Sequence, residues 1–401
     1  MRHSWNFYSS GQLTFGNGAL GELGGFVARQ RWQRVLVVAD SILARIGLVE
    51  RVCSLLAERQ IHVKVFAEGE PEPSLQLAER AVEFARSFAP DAVLGVGGGS
   101  NMDLAKAVAV GLTHALPLRD CLGWDKVPGP VLPIICIPTT AGTGSEVSHN
   151  AVLTDTANRM KASIVSNYLR PALALVDPEL TLSCPPTATA NSGIDALTHA
   201  VEALSAVDFQ ALDIPADQSA PYAGRHPLGD CLAEQAIELV GKHLVTAVRE
   251  PANATAREGM SLAALLAGLA FSNCGVAVVH ALEFPLGGTL HCAHGAGCGL
   301  LLPHVMRYNA PVRAAAYARV AMRLGEPVAG LSDDQAAERA IPAVDRLRQS
   351  IGVPQRLRDL GATQAQLPEF ADKAYSMERL MKLNPRRPTR DELLAILQEA
   401  L

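Results

Sequence analysis

Histidine is scarce in this chain, eleven residues in 401, yet His280, His291 and His294 fall together in the stretch HALEFPLGGTLHCAHG. Neutral imidazole is a common metal ligand and also a proton carrier, so the cluster raises a metal site, a catalytic group, or three ordinary polar side chains. A segment upstream bears on the choice. ATANSGIDALTHAVEALSA (188–206) has apolar residues at Ile194, Leu197, Val201 and Leu204, the spacing of one helix face. Asp195 and His199 are four apart and share a face beside that stripe. Such a pair can offer a carboxylate oxygen and an imidazole nitrogen to one cation. Taken alone it reads more plainly as a surface pair worth about 0.3–0.5 kcal/mol. Asp195, His199, His280 and His294 would make a set of three nitrogens and one oxygen, suited to Fe2+ or Zn2+ with room for a substrate oxygen. Spacing does not choose His280 and His294 over His291.

Two further stretches suit an anionic ligand. GVGGGSNMDLAK (95–106) sets three glycines directly after a strand-like run, with Ser100 at the head of a helix. Backbone N–H groups there can approach a phosphate closely, and the helix N-terminus favours negative charge. Ser100 and Asp103 have the spacing of a capping box. A plain tight turn explains the glycines equally well, and the pattern is neither GxGxxG nor GxxxxGK[ST]. The second stretch, IPTTAGTGSEVSHNAV (137–152), offers the hydroxyls of Thr139, Thr140, Thr143 and Ser145 beside two glycines, as a polar loop after a strand over 131–137. Loops at the carboxyl ends of strands line the ligand crevice of open α/β sheets, so the two together point to a dinucleotide. Asp40, at the end of another strand, either accepts from an adenosine ribose, which favours NAD over NADP, or caps a helix.

The elements that must position these groups divide at about Cys184-Pro185-Pro186. Before it, strand-like runs at 35–38, 62–66, 92–96, 131–137 and 173–176 alternate with helical patterns at 47–59, 74–88 and 101–115. That alternation implies βαβ units in a parallel, doubly wound sheet. After it, long helical periods dominate, ending in a capped helix at DELLAILQEAL. The expected organisation is a dinucleotide-binding α/β domain over 1–185 and an all-helical metal-binding and substrate domain over 186–401. From Gly259 to Leu282 there is no Asp, Glu, Lys or Arg. The polar interruption Ser272-Asn273-Cys274-Gly275 and the small residues make this a buried core helix, with His280 near its end, rather than a membrane span. Residues 208–229 read as an excursion between helices. Apolar residues make up 49% and charged residues 19%, a globular balance. The net charge of −5, without a basic run, excludes nucleic acid as the expected partner. Eight scattered cysteines and an N-terminus without an apolar signal region point to the cytoplasm.

GGGSNMDLAK, PTTAGTGSEVSHNAV, SGIDALTHAVEALSA and the H-x13-HG spacing followed by LLLPHVMRYN together resemble the iron-containing (type III) alcohol dehydrogenase family, over nearly the whole chain. The resemblance implies a nucleotide domain, a helical domain, a divalent metal in the cleft between them, and a homodimer or larger homo-oligomer. It implies Asp195, His199, His280 and His294 as the metal ligands, and Gly98, Gly99, Ser100, Thr139, Thr140, Thr143 and Lys161 as contacts to NAD(P); Asp103 joins these as a candidate. Asp40 matches an aspartate that accompanies NAD preference.

The chain departs from the family pattern at one chemically important place. Many members carry a second histidine four residues after the metal-binding one; here that residue is Phe284, which cannot move a proton. His291 is the nearest replacement by sequence, a satisfied loop histidine being the plainer reading. An aromatic here, and an insertion like 208–229, also occur in branches that include hydroxyacid–oxoacid transhydrogenases. Arg225 and His226 could meet an acidic substrate there, a solvated loop being the plainer reading. The expected activity is an NAD(H)-dependent, metal-dependent interconversion of a small primary alcohol and its aldehyde. The rivals are a transhydrogenase or hydroxyacid dehydrogenase of the same family, and a lyase resembling 3-dehydroquinate synthase. The last needs Lys and Arg around its substrate, and 188–206 and 276–306 contain none.

Overall fold

The run RVLVVAD is apolar almost throughout because both faces of the strand it forms are covered. In the computed structural model of the chain, which describes residues 2–158, 160–212 and 222–401, it is an interior strand of a six-stranded sheet. The strands are β1 (Gln12–Phe15), β2 (Arg34–Asp40), β3 (His62–Gly69), β4 (Ala92–Gly97), β5 (Gly123–Trp124), β6 (Ile134–Pro138), β7 (Asn150–Asp155), β8 (Met160–Val165) and β9 (Leu173–Val176). The large sheet runs β1-β9-β6-β4-β2-β3 with every pairing parallel. Alternate residues of β2 serve two cores. Leu36 and Val38 pack with Leu77, Ala81, Met102 and Ala105 of helices α4 (Leu75–Arg86) and α5 (Gly99–His114). Val35, Val37 and Ala39 pack with residues of α1 (Leu23–Arg29), α2 (Ser41–Arg45) and α3 (Leu48–Ala57). Helices therefore cover both faces, and the doubly wound parallel sheet expected from the alternation is the observed architecture.

β3 lies on one side of β2 and β4 on the other, so the winding direction reverses there. Ligands of such sheets bind outside the carboxyl ends of the strands at this switch point.

Three features differ from the sequence reading. β1 was not anticipated: QLTF is short, exposed to half-buried, and holds an edge by pairing with β9. The strand after 131 begins only at Ile134, since Pro133 has no N–H to donate. Residues 150–152 are not loop but the start of β7, which forms an antiparallel hairpin with β8 and, with β5, a second small sheet.

The helical part comprises α6 (Pro186–Ser205), α7 (Pro227–Arg249), α8 (Ala254–Cys274), α9 (Val278–Leu290), α10 (His294–Arg323), α11 (Asp333–Ser350), α12 (Leu367–Tyr375), α13 (Glu378–Leu383) and α14 (Arg390–Ala400). The chain forms two compact units, one of 9–140 with 144–182, the other of 183–401 with 2–8 and 141–143. Pro185 and Pro186 occupy the N-cap and first position of α6, where a missing N–H costs nothing.

The uncharged stretch 259–282 is not one helix. α8 ends at Cys274 and α9 starts at Val278, with a bend of 105° between them. The Glu202 carboxylate accepts from the N–H groups of Ala277 (3.0 Å) and Val279 (2.7 Å), so a side chain from α6 caps the new helix. His280 therefore opens α9 rather than closing α8. Among the described residues no single helix is long and apolar enough to cross a membrane.

Of the excursion at 208–229, residues 213–221 lie outside the described residues. The solvated-loop reading of Arg225 and His226 is overturned by what surrounds them. Arg225 is clamped by Asp208 (3.1 Å) and Asp230 (2.8 Å). His226 is buried, caps α7 through Gly229 N–H, and stacks on Trp5 at 4.2 Å between centroids.

Candidate metal centre and nucleotide loops

α6 is buried on every side from Gly193 to Ser205, so its polar residues are as hidden as Ile194 and Leu197. Asp195 is 2% exposed and His199 5%, which rules out the surface-pair reading of these two. An ionised carboxylate at such depth costs several kcal/mol unless it is paired. Three imidazole Nε2 atoms face its Oδ1: His199 at 3.9 Å, His280 at 3.9 Å and His294 at 3.7 Å. These separations are too long for hydrogen bonds. Accordingly, Asp195 Oδ1 and His280 Nε2 are buried without a hydrogen-bond partner. Donors 2.0–2.2 Å from a common ion would be spaced about this far apart, so a divalent cation among them satisfies every one. The residues fit a metal, and the four that the resemblance implied are brought together.

The electrostatics agree. Burial pushes His199 down to about 3, against the opposing pull of Asp195, leaving the neutral ring that a ligand must be. For Asp195 burial alone would raise the pKa, but the His199, His294 and His280 rings together hold it below the usual carboxylate range.

Each ring is held from behind. His199 stacks on Phe271 (4.1 Å between centroids) and on His280 (4.8 Å). His280 Nδ1 meets Glu202 Oε2 at 2.6 Å, and His294 Nδ1 meets Glu283 Oε2 at 2.5 Å. Such carboxylate–histidine pairs fix ring orientation and strengthen the ligand. His294 is the first residue of α10. Its place depends on Gly295, where a Cβ would stand 1.9 Å from the Asn191 carbonyl oxygen and 3.1 Å from Asp195 Cβ. Only glycine lets α10 press this close to α6.

In the sheet unit, Asp40 caps α2 through the N–H groups of Ile42 (2.8 Å) and Leu43 (2.9 Å). Its other oxygen accepts from Asn101 Nδ2 at 2.8 Å, which ties the ends of β2 and β4 together at the switch point. Gly98 is the N-cap of α5 and no side chain caps that helix. The capping box expected of Ser100 and Asp103 is therefore absent. Both side chains are engaged elsewhere: Ser100 Oγ accepts from Glu72 N–H (3.2 Å), and Asp103 accepts from Ser145 Oγ (2.5 Å) and Val152 N–H (3.0 Å). An uncapped sixteen-residue helix at the carboxyl end of a central strand is a fitting seat for a pyrophosphate. Gly97 has φ 139°, and a Cβ on it would strike Asn101 Nδ2 at 2.2 Å, so this turn requires glycine. Thr139 is buried, its N–H bonded to Gly97 O (2.9 Å), and Thr140 Oγ1 would lie 3.6 Å from a Cβ on Gly98. Both belong to the sheet unit, whereas Thr143 groups with the helical unit. Lys161 is buried with Nζ 2.7 Å from Glu72 Oε1.

Comparison with known proteins decides the lineage. The model of the iron-containing alcohol dehydrogenase family matches residues 10–178, and that of the Fe-containing alcohol dehydrogenase family C-terminal region matches residues 221–401. The chain belongs to the iron-containing alcohol dehydrogenase family. It is 33% identical over 396 residues to the NAD-dependent methanol dehydrogenase of Bacillus methanolicus, covering 99% of this chain and 100% of that one. It is 39% identical over 388 residues to long-chain-alcohol dehydrogenase 1 of Geobacillus thermodenitrificans, covering 96% and 94%. The crystal structure of a 1,3-propanediol oxidoreductase superposes with a TM-score of 0.92 at 35% identity, covering 100% of both chains.

Within this family member, sequence reasoning missed Glu202 and Glu283. A signal existed for each. Glu202 is seven residues after Asp195 and three after His199, on the same helix face, and Glu283 is the lone charged residue between Glu258 and Arg307. Lys106 was also missed. Buried completely, its Nζ donates to Ser145 O, Ser148 O and Asn150 O at 2.7, 3.1 and 2.8 Å and to the hydroxyls of Ser145 and Ser148, pinning the polar loop to α5. Phe284 is buried with its ring 6.2 Å from that of His294. His291 is the exposed C-cap of α9, with φ 53°.

Proposed function

We propose that this chain interconverts a small primary alcohol and its aldehyde, with NAD(H) as hydride carrier and Fe2+ or Zn2+ held by Asp195, His199, His280 and His294. The observation that carries the reading is the approach of three imidazole nitrogens, at 3.7–3.9 Å, to one buried carboxylate oxygen that has no hydrogen-bond partner. A divalent cation there supplies Lewis-acid polarisation of the substrate oxygen, worth several kcal/mol, while the nicotinamide supplies the redox chemistry. The protein's part is to offset the cation's charge with Asp195, to present neutral rings, and to keep two of those rings aimed through Glu202 and Glu283.

On the same reading residues 1–185 bind the dinucleotide and 186–401 hold the metal and substrate. Gly98 and Gly99 present backbone N–H groups to the pyrophosphate. Ser100, Thr139, Thr140, Thr143 and Lys161 line the nucleotide, and Asp40 accepts from its ribose. Asp103, taken up by Ser145 and Val152, positions the loop. Phe284 gives the centre an apolar wall and carries no proton, so we assign proton movement to His291. The reading includes a homodimer or larger assembly in the cytoplasm, checked by light scattering and cell fractionation.

A panel of alcohols and aldehydes followed at the NADH absorbance band tests the activity. Alcohol-dependent NADH formation is expected, lost in His280→Ala and in chelated protein while NADH still binds, and slowed with an altered pH–rate profile in His291→Ala. Turnover of 4-hydroxybutyrate with 2-oxoglutarate without added NAD would instead assign a transhydrogenase, and full activity after chelation would overturn the metal-dependent reading.

A further inference from the structure

Two of the clustered imidazoles have an acceptor behind them, and the third lacks one. Glu202 holds His280 Nδ1 and Glu283 holds His294 Nδ1. His199 Nδ1 is buried with no hydrogen-bond partner among the described residues. A ring that gives Nε2 to a cation carries its proton on Nδ1, and a carboxylate or backbone carbonyl usually meets that proton. We propose that Gly142 is the positioning residue for His199, its carbonyl accepting from Nδ1 in the loaded protein, so that the polar loop couples nucleotide binding to metal binding. The inference rests on the readings of His199 as a metal ligand and of the loop as a nucleotide contact.

The course of the loop supports this. Its apex, 141–143, groups with the helical unit, although the chain on either side of it belongs to the sheet unit. Ala141 is buried in the apolar core that includes Ala190, Ile194 and Leu197 of α6. A Cβ on Gly142 would stand 2.4 Å from the Ser192 carbonyl oxygen and 2.6 Å from Ser192 Cα, so the loop backbone lies directly on α6. Ser192 precedes His199 by seven residues, about two turns, and shares its face. Side chains of a helix lean toward its N-terminus, which turns the His199 ring toward the backbone seated there. Burial lowers the pKa of this ring, and Asp195 and the Gly142 carbonyl pull it back up, as an acceptor facing the ring does.

Both flanks of the apex are fixed in the nucleotide seat. Thr139 N–H donates to Gly97 O at 2.9 Å, and Lys106 Nζ donates to Ser145 O at 2.7 Å. A nucleotide that orders Thr139 and Thr140 therefore steadies the Gly142 carbonyl and, through it, the His199 ring. By linkage the same free energy returns to the nucleotide when the metal binds.

The intact protein tests this with zinc and NADH. A crystal structure of the zinc-loaded, NADH-bound protein should bring His199 Nδ1 to about 2.7–3.2 Å from the Gly142 oxygen, and a separation beyond about 3.5 Å overturns the inference. Chelator competition reads the coupling: zinc affinity should be about 5–10-fold higher with saturating NADH than without it, and NADH affinity should rise by the same factor with zinc. In Gly142→Ala, whose methyl group lifts the loop off α6, that factor should fall to about one. An unchanged factor in this variant, or no coupling in the wild type, overturns the inference, and the wild-type measurements decide it even if the variant does not fold. Wild-type protein that binds zinc and NADH independently loses only the role of Gly142. If His199→Ala holds zinc as tightly as the wild type, or the wild type binds no NADH, the underlying reading fails instead.

Discussion

At the scale of single residues, two of the clustered histidines are oriented by buried carboxylates. Glu202 both caps α9 and holds His280 Nδ1, and Glu283 holds His294 Nδ1. Replacing either by Gln keeps the shape but weakens the charge-assisted bond, so metal affinity should fall by about 10–100-fold in Glu202→Gln and in Glu283→Gln, read by chelator competition. Unchanged affinity would show that the rings are held by packing alone. His199 gives a pH dependence of definite sign. Burial holds its pKa at about 3 in the folded chain against an ordinary 6.5. As pH falls below 6.5 the unfolded chain takes up a proton that the folded chain refuses until about 3, so stability is present above 6.5 and lost toward 3. Urea unfolding of metal-free protein should therefore show a lower midpoint at pH 5 than at pH 7, with the difference reduced in His199→Gln. A difference of the same size in the variant would contradict this. Helical spacing put Asp195 and His199 on one face but favoured a surface pair, and only family resemblance pointed to these two together with His280 and His294. The carboxylates behind them were missed although each left a trace, Glu202 on the helix face of Asp195 and His199 and Glu283 as a lone charge in an apolar stretch, because neither has a fixed spacing to the imidazole it holds.

At the scale of elements, close approach of α10 to α6 determines whether the four donors meet. Gly295→Ala would place a methyl group 1.9 Å from the Asn191 carbonyl oxygen. Relief requires the two helices to separate, and the expected cost is about 1–3 kcal/mol of stability with lower metal occupancy. Denaturant midpoints and elemental analysis check the two effects, and a variant with wild-type values in both would show that the helices yield freely. The strands of the large sheet were legible because burial on both faces writes a continuous apolar run, as in RVLVVAD. β1 and the β7–β8 hairpin were not, since one is a short exposed edge and the other emerges from a polar loop whose anchor, Lys106, lies far away in sequence. The α8–α9 break was equally hidden. Its cap comes from Glu202, 75 residues upstream, and the one local sign was Gly275, the C-cap of α8 at φ 108°, within the polar interruption at 272–275.

At the scale of the whole chain, the two compact units carry the two groups of candidate residues. The parallel sheet presents Asp40, Gly97 and the uncapped start of α5 at its switch point, and the helical unit gathers its donors from α6, α9 and α10. A cation that binds only the folded centre stabilises it by mass action, by about 2.7 kcal/mol at a hundredfold excess over Kd. The convergence of donors on one ion is the claim on which the activity depends. Its most direct test is a titration of metal-free protein with Fe2+ or Zn2+, following bound metal by elemental analysis and NADH formation from an alcohol in parallel. The account predicts saturation at one ion per chain, turnover rising in proportion to occupancy, and no tight binding in Asp195→Asn or His280→Ala. Tight stoichiometric binding in those variants, or turnover that is complete before any metal is added, would contradict it.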